Sequence, residues 1–369
     1  MHAESRAEER RTVAGTSEDL YGLIETLCGL PGPVGHEDAV QDWLADRWSR
    51  FPEVRRTRVG NVLARVGGEG PKLLLFGHAD ELCLVVKSVT DDGFLHLWYY
   101  AGNPDGKPPK WFMPLYQPAL VVTSTGTVEG VFAVASGHVT GGSLREKDRA
   151  DWNDWFVDVG ARSRADVEAM GIGPGARVIW NSPTRRIGRN AVGKAMDDRA
   201  ALAIATCAAE RLQGANLAYE LWIASTVQEE NGLIGASSLA DEVRFDRAIA
   251  LDVGLTGDHP GPDKRDFPAA LGAGPTVVYQ DASCHYSRGL CDELLAAGGR
   301  ASVPVQRAVY QFYGSDGASL IRRGVEAALL TYPTRYTHTP VETIDLNDVE
   351  ATIDLLVEFA TTPEPERPS

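Results

Sequence analysis

Four short apolar runs in this chain each stop at a carboxylate or an imidazole, and that constrains the fold more than any other feature. KLLLFG (72–77) runs into His78-Ala79-Asp80, and YELWIASTV (219–227) into Gln228-Glu229-Glu230. RAIAL (247–251) is followed by Asp252, and EAALLTYPTRY (326–336) leads to His338. Short apolar runs bounded by turn signals read as strands buried on both faces. Helix-like stretches alternate with them, among them DAVQDWLADRW (38–48), DRAALAIATCAAERL (198–212), GLIGASSLA (232–240) and DLNDVEATIDLLVEFA (345–360). Such alternation predicts an α/β fold with a mixed, mostly parallel sheet flanked by helices. Open sheets of this kind carry their ligand sites at the carboxyl ends of the strands. Burying the four runs side by side therefore gathers their polar ends at one edge.

The stretch from Leu84 to Pro183 departs from this pattern. CLVVKSV, FLHLWYY, ALVVTS, TVEGVFAVA, DWFVDVG and ARVIW are short and separated by turn signals such as DDG and GIGPG. They predict a small β-barrel inserted into the α/β domain. The expected organisation is a catalytic domain of residues 16–83 plus 184–362 and an inserted β-rich domain at 84–183 serving substrate access or oligomerisation. Residues 1–15 and 363–369 are expected to be flexible tails.

Bulk properties exclude several partners. A formal charge of −15 disfavours nucleic acid and anionic membrane, which need clustered Lys and Arg. No apolar run approaches the ~20 residues of a membrane span, and the opening MHAESRAEERRTVAGTS lacks the apolar centre of a signal peptide. The five cysteines are an odd count without paired spacing, so they read as reduced, and a cytoplasmic location is expected.

With Asp197, the polar strand ends supply two imidazoles and several carboxylates, donors suited to zinc, cobalt or manganese. Any one of them alone is an ordinary turn or surface residue; their coincidence at strand ends carries the argument. GRNAVGK (188–194) nearly spells a phosphate loop, but Ala195 stands where Ser or Thr would hold Mg²⁺, and the preceding NSPTRRI is no buried strand. HEDAV (36–40) lacks the second His of a zinc-protease helix, no G-x-S-x-G occurs, and Cys284-His285 with Cys291 read as structural.

At this level the sequence resembles the glutamyl/leucyl aminopeptidase family of two-metal peptidases, which includes the tetrahedral and deblocking aminopeptidases. GHADE (77–81), KAMDDRA (194–200), TVQEENGLIGA (226–236), ALDVGLTGDHPG (250–261), GSDGASLIRRGV (314–325) and PTRYTHTPVETIDLNDVE (333–350) carry it across nearly the whole chain. The resemblance implies that His78, Asp197, Glu230, Asp252 and His338 ligate two divalent ions, zinc first, with cobalt or manganese as alternatives. It makes Asp197 the bridge, Glu229 the general base and Asp80 the residue that orients His78. It implies short peptide substrates, a homo-oligomer that could be a dodecamer, and a cis peptide bond between Asp197 and Asp198. The chain departs from the family's usual pattern at Ala79 and in the Asp316-Gly317-Ala318 order, departures expected to reshape the substrate pocket.

The physical reading agrees. A bridging carboxylate and two cations lower a water's pKa, and a neighbouring free carboxylate takes and returns its proton. Related aminoacylases and carboxypeptidases insert their smaller domain later, between the acidic ligands and the last His, whereas here the β-rich stretch lies between His78 and Asp197. A silent assembly protein on the same fold would not need Glu229, and a glycosidase with paired carboxylates would not need the histidines.

Overall fold

Because β3 (Lys72–His78), β12 (Glu220–Thr226), β13 (Arg247–Leu255) and β16 (Glu326–Arg335) are apolar on both faces, none of them can form the margin of a sheet. They lie side by side and parallel at its centre, with Thr226 opposite His78 and Asp252 opposite Thr331. The computed structural model describes residues 17–101, 116–135, 138–139 and 151–363. The strands at the margins run antiparallel: β1 (Glu53–Arg56) and β2 (Val62–Gly67) on one side, β17 (Glu342–Asp345), β11 (Asn190–Gly193) and β10 (Arg185–Ile187) on the other. β14 (Thr276–Gln280) pairs with β16 and with β15 (Gln306–Val309), completing eleven strands. The mostly parallel sheet expected from the sequence is thus parallel at its core and antiparallel at its edges.

Helices flank this sheet. α1 (Ser17–Gly29), α4 (Met196–Leu212) and α8 (Leu346–Thr361) pack on one another, and α4 lies against β3 and β13. The small residues of α4, including Ala200, Ala201, Ala203 and Ala205, are fully buried, which lets its backbone approach the strands. α2 (Asp38–Trp48) covers β1 and β2, α6 (Arg288–Ala301) covers β14, and α5 (Ile234–Glu242) packs on α7 (Gly317–Arg322). Among the described residues, no helix is long and apolar enough to cross a membrane. All five cysteines are free.

The β-rich stretch closes into a six-stranded barrel with its own core around Leu84, Leu97, Val121 and Val157. Its strands are β4 (Leu84–Val89), β5 (Leu95–Tyr99), β6 (Pro118–Thr123), β7 (Gly126–Ala133), β8 (Phe156–Asp158) and β9 (Arg177–Trp180), and α3 (Arg164–Ala169) is its one short helix among the described residues. WYYAGNPDGKPPKWFMP (98–114), an aromatic and proline-rich run whose composition predicts an interface, falls mostly outside the described residues, as do nearly all of the two tails.

The near phosphate loop turns out to be the β10–β11 hairpin, with Gly188 at φ 63° in its turn. Lys194 follows it and donates to both oxygens of buried Glu81, at 2.8 and 2.9 Å.

Candidate metal centre

The ends of β3, β12, β13 and β16 and the start of α4 bring His78, Asp80, Asp197, Glu229, Glu230, Asp252 and His338 together. Asp197 lies at the middle. Its Oδ1 is 3.1 Å from His78 Nε2, and its Oδ2 is 3.4 Å from His338 Nε2. One carboxylate thus faces two imidazoles that arrive from opposite parts of the chain. Glu230 Oε1 lies 3.3 Å from His338 Nε2. Donor atoms of His78, Asp197 and Glu230, of His78, Glu229 and Asp252, and of Asp197, Asp198 and Asp252 each fall within 4.8 Å of one another. Glu229 Oε2 stands 3.9 Å from His78 Nε2, beside the donors rather than apart from them. The Asp197–Asp198 bond is cis, as the resemblance implied, and both residues leave helical backbone angles inside α4.

Asp80 does more than its assigned part. The nearer acceptor for His78 Nδ1 is the Asp80 carbonyl oxygen, at 3.2 Å, with Oδ1 at 3.4 Å. The Asp80 carboxylate itself accepts the Glu229 amide at 2.9 Å and the Glu230 amide at 3.0 Å. Gln228, just before them, sits at φ 54°, a turn that points both amides at one carboxylate.

Three further groups escaped sequence reasoning. Asp198 accepts the His78 amide at 3.0 Å and the Tyr332 hydroxyl at 2.7 Å. Glu342, the Glu of PVE, accepts the Asp197 amide at 3.0 Å and the His338 amide at 2.6 Å. The Tyr100 hydroxyl, just past barrel strand β5, reaches 3.5 Å from Glu230 Oε2. The DD and PVE motifs were visible in the sequence, but an amide partner leaves no trace in it. Tyr100 had no signal at all.

The charge balance is one-sided. Asp80, Asp197, Asp198, Glu229, Asp252, Asp316 and Glu342 are all buried. Lys194 and Arg199, which bracket the Asp197 segment, are engaged elsewhere: Lys194 on Glu81, Arg199 on the carbonyls of Ala79, Leu27 and Leu30. Burial pushes the Glu229 and Glu342 carboxyls well above the usual carboxylate range. Burial, helped by Asp197, lifts Asp252 to about 8. Burial opposes charge on His78 and His338, yet neighbouring carboxylates raise both imidazoles well above their ordinary value, Asp80 acting on the first and Glu230 on the second. Asp197 moves the other way: despite burial, hydrogen bonds from the two imidazoles hold it low. The raised groups sit amid buried negative charge with little positive charge nearby besides the two imidazoles. Divalent cations would supply it, and imidazole and carboxylate are donors such cations accept. The residues fit the divalent ions that the resemblance implies.

A sheet with a parallel centre, imidazoles and carboxylates at its strand ends and a closed barrel beside it are the marks of a metal-dependent hydrolase. The M42 glutamyl aminopeptidase family model matches residues 60–355, and the chain belongs to that family. It is similar to the lysyl aminopeptidase of Pyrococcus furiosus, 30% identical over 91% of this chain and 95% of that protein. Its fold is similar to the TET aminopeptidase of a marine sediment Thaumarchaeota archaeon, with a TM-score of 0.87 and 30% identity over 94% of this chain and 97% of the other. It also resembles the TET1 peptidase of Pyrococcus horikoshii, described as assembling into a tetrahedron or a large octahedral shell, with a TM-score of 0.80 and 26% identity over 92% and 99% of the two chains.

Proposed function

We propose that this protein removes single residues from the amino termini of short peptides, using two divalent ions and Glu229 as general base. The observation that supports it most is the Asp197 carboxylate, with one oxygen 3.1 Å from His78 and the other 3.4 Å from His338. His78 and Asp252 would hold one ion, Glu230 and His338 the other, and Asp197 would serve both. When bound, such ions polarise the scissile carbonyl and make a water acidic enough to lose its proton near neutral pH.

The remaining work falls to the chain's own groups. Glu229 is buried, with Oε2 3.9 Å from His78 Nε2, a position from which a carboxylate can accept the water's proton and then deliver it to the leaving amine. Asp80 fixes the Glu229 backbone and faces the His78 ring, so base and ligand keep one geometry throughout the reaction.

The barrel, as an inserted domain at about residues 84–183, would restrict access and form subunit contacts. A homo-oligomer, with the dodecamer among its expected forms, follows by analogy with TET peptidases that assemble into shells. A cytoplasmic location agrees with free cysteines. The alternative of a silent assembly protein has the buried Glu229 against it.

The test is a panel of aminoacyl amides assayed on metal-stripped protein reloaded with zinc, cobalt or manganese. Turnover that tracks two bound ions per chain supports the reading. Turnover that survives chelation, or that appears only on amino-terminally blocked substrates, refutes it.

A further inference from the structure

Glu342 is a buried carboxylate outside the three donor groups, and each of its oxygens is taken by the backbone of a residue assigned as a ligand. Oε2 accepts the amide of Asp197 at 3.0 Å and Oε1 the amide of His338 at 2.6 Å. The two residues are remote in sequence and reach the centre on different elements. Asp197 follows β11, whose Gly193 pairs with Glu342 in the sheet. His338 lies four residues before Glu342, in the link between β16 and β17.

That link is an unlikely place for a rigid ligand. The His338 side chain is only partly buried, and both His338 and Tyr336 adopt left-handed backbone angles, φ 64° and 61°. Non-glycine residues hold such angles only where the surroundings over-determine them. The His338 amide bonded to Glu342 is one such restraint. The same side chain ties that restraint to the residue whose carboxylate faces both imidazoles.

We propose that Glu342 is a positioning residue: it sets the distance between Asp197 and His338, and through them the geometry of the ion they share with Glu230. This rests on the ligand assignment above. Glutamine at this position keeps the shape but turns one acceptor into a donor that would face an amide N–H. Aspartate keeps the charge but is one methylene short of spanning both amides.

The experiment is titration of metal-stripped, full-length protein with Co²⁺, followed by calorimetry and visible absorption, for the unmutated chain, Glu342→Gln and Glu342→Asp. Thermal melting of the metal-free proteins is recorded alongside. Two ions are expected on the unmutated chain. In both variants one ion should weaken about 10–100-fold, the effect expected of a lost outer partner, with an altered Co²⁺ spectrum. The other ion should change less. If one variant fails to fold, the other carries the comparison. Two ions bound with unchanged affinity and spectrum in a folded variant overturn the proposal, and a lowered melting temperature alone, with metal binding intact, makes Glu342 merely structural. If the unmutated chain itself does not bind two ions, the ligand assignment fails, and the role of Glu342 with it.

Discussion

Replacing Asp80 by Asn tests whether one side chain holds the base and a ligand in register. Its two carboxylate oxygens accept the amides of Glu229 and Glu230 at 2.9 and 3.0 Å, and Oδ1 stands 3.4 Å from His78 Nδ1. Asparagine has the same shape, but one oxygen becomes an NH₂ group, so one buried amide must face a donor. A hydrogen bond to a charged acceptor contributes about 1.5–3 kcal/mol, and an amide left unsatisfied costs about 1–3 kcal/mol. The turn at 228–230 relieves that cost by shifting, which moves Glu229 with it. A displacement of about 1 Å in a reacting group lowers the rate about 100-fold, or about 2.7 kcal/mol of barrier. The expected result is therefore a kcat down about 100-fold with a smaller change in KM, measured on the best aminoacyl amide at saturating metal. Metal affinity should fall as well, because the His78 ring loses its carboxylate neighbour. A kcat within about threefold of wild type would refute the reasoning, since the three contacts would then do nothing for catalysis.

Glu229→Gln should keep both ions and lose most turnover, because it removes only the proton acceptor; elemental analysis beside kcat checks it, and full activity sinks the mechanism. Lys194→Met strands Glu81 in the interior. Breaking a buried pair costs about 3–5 kcal/mol, and Arg199 at 3.6 Å from Glu81 keeps the loss near the lower end, readable by urea denaturation; an unchanged midpoint would contradict it. Burial, with the charge of Asp80 adding to it, raises Glu37 to about 7 from an ordinary 4.5. Its folded form therefore binds a proton more tightly than its unfolded form, and that stability, full below about 4.5, is lost as pH rises through about 7. Glu37→Gln removes the titration while its one carbonyl can still accept the Gly35 and Gln228 amides that Oε1 accepts now. The variant should gain on wild type by about 2.5 kcal/mol between pH 5 and pH 8, and a pH-independent difference in urea unfolding would show that Glu37 titrates normally.

What the sequence determined by itself is the order of elements and the residue types at their ends. Runs such as LLLF at 73–76 are apolar at every position, short and bounded by turn signals, which reads as a strand buried on both faces, so β3, β12, β13 and β16 were legible, and with them the gathering of His78, Glu229, Glu230, Asp252 and His338. The turn-punctuated barrel strands were legible for the same local reason. The sequence could not reveal which oxygen meets which donor. Asp80 faces the His78 ring, but its carboxylate oxygens also accept the amides of Glu229 and Glu230, because the Gln228 turn aims them there. Glu342 and Asp198 accept amides of residues on other elements, and every residue but proline carries the same amide. Tyr100 meets Glu230 only because the barrel closes beside β12. Hydrophobic pattern is written along the chain and specifies which segments are buried; hydrogen-bond pairing between distant segments is a property of their packing, and only the tertiary structure decided it.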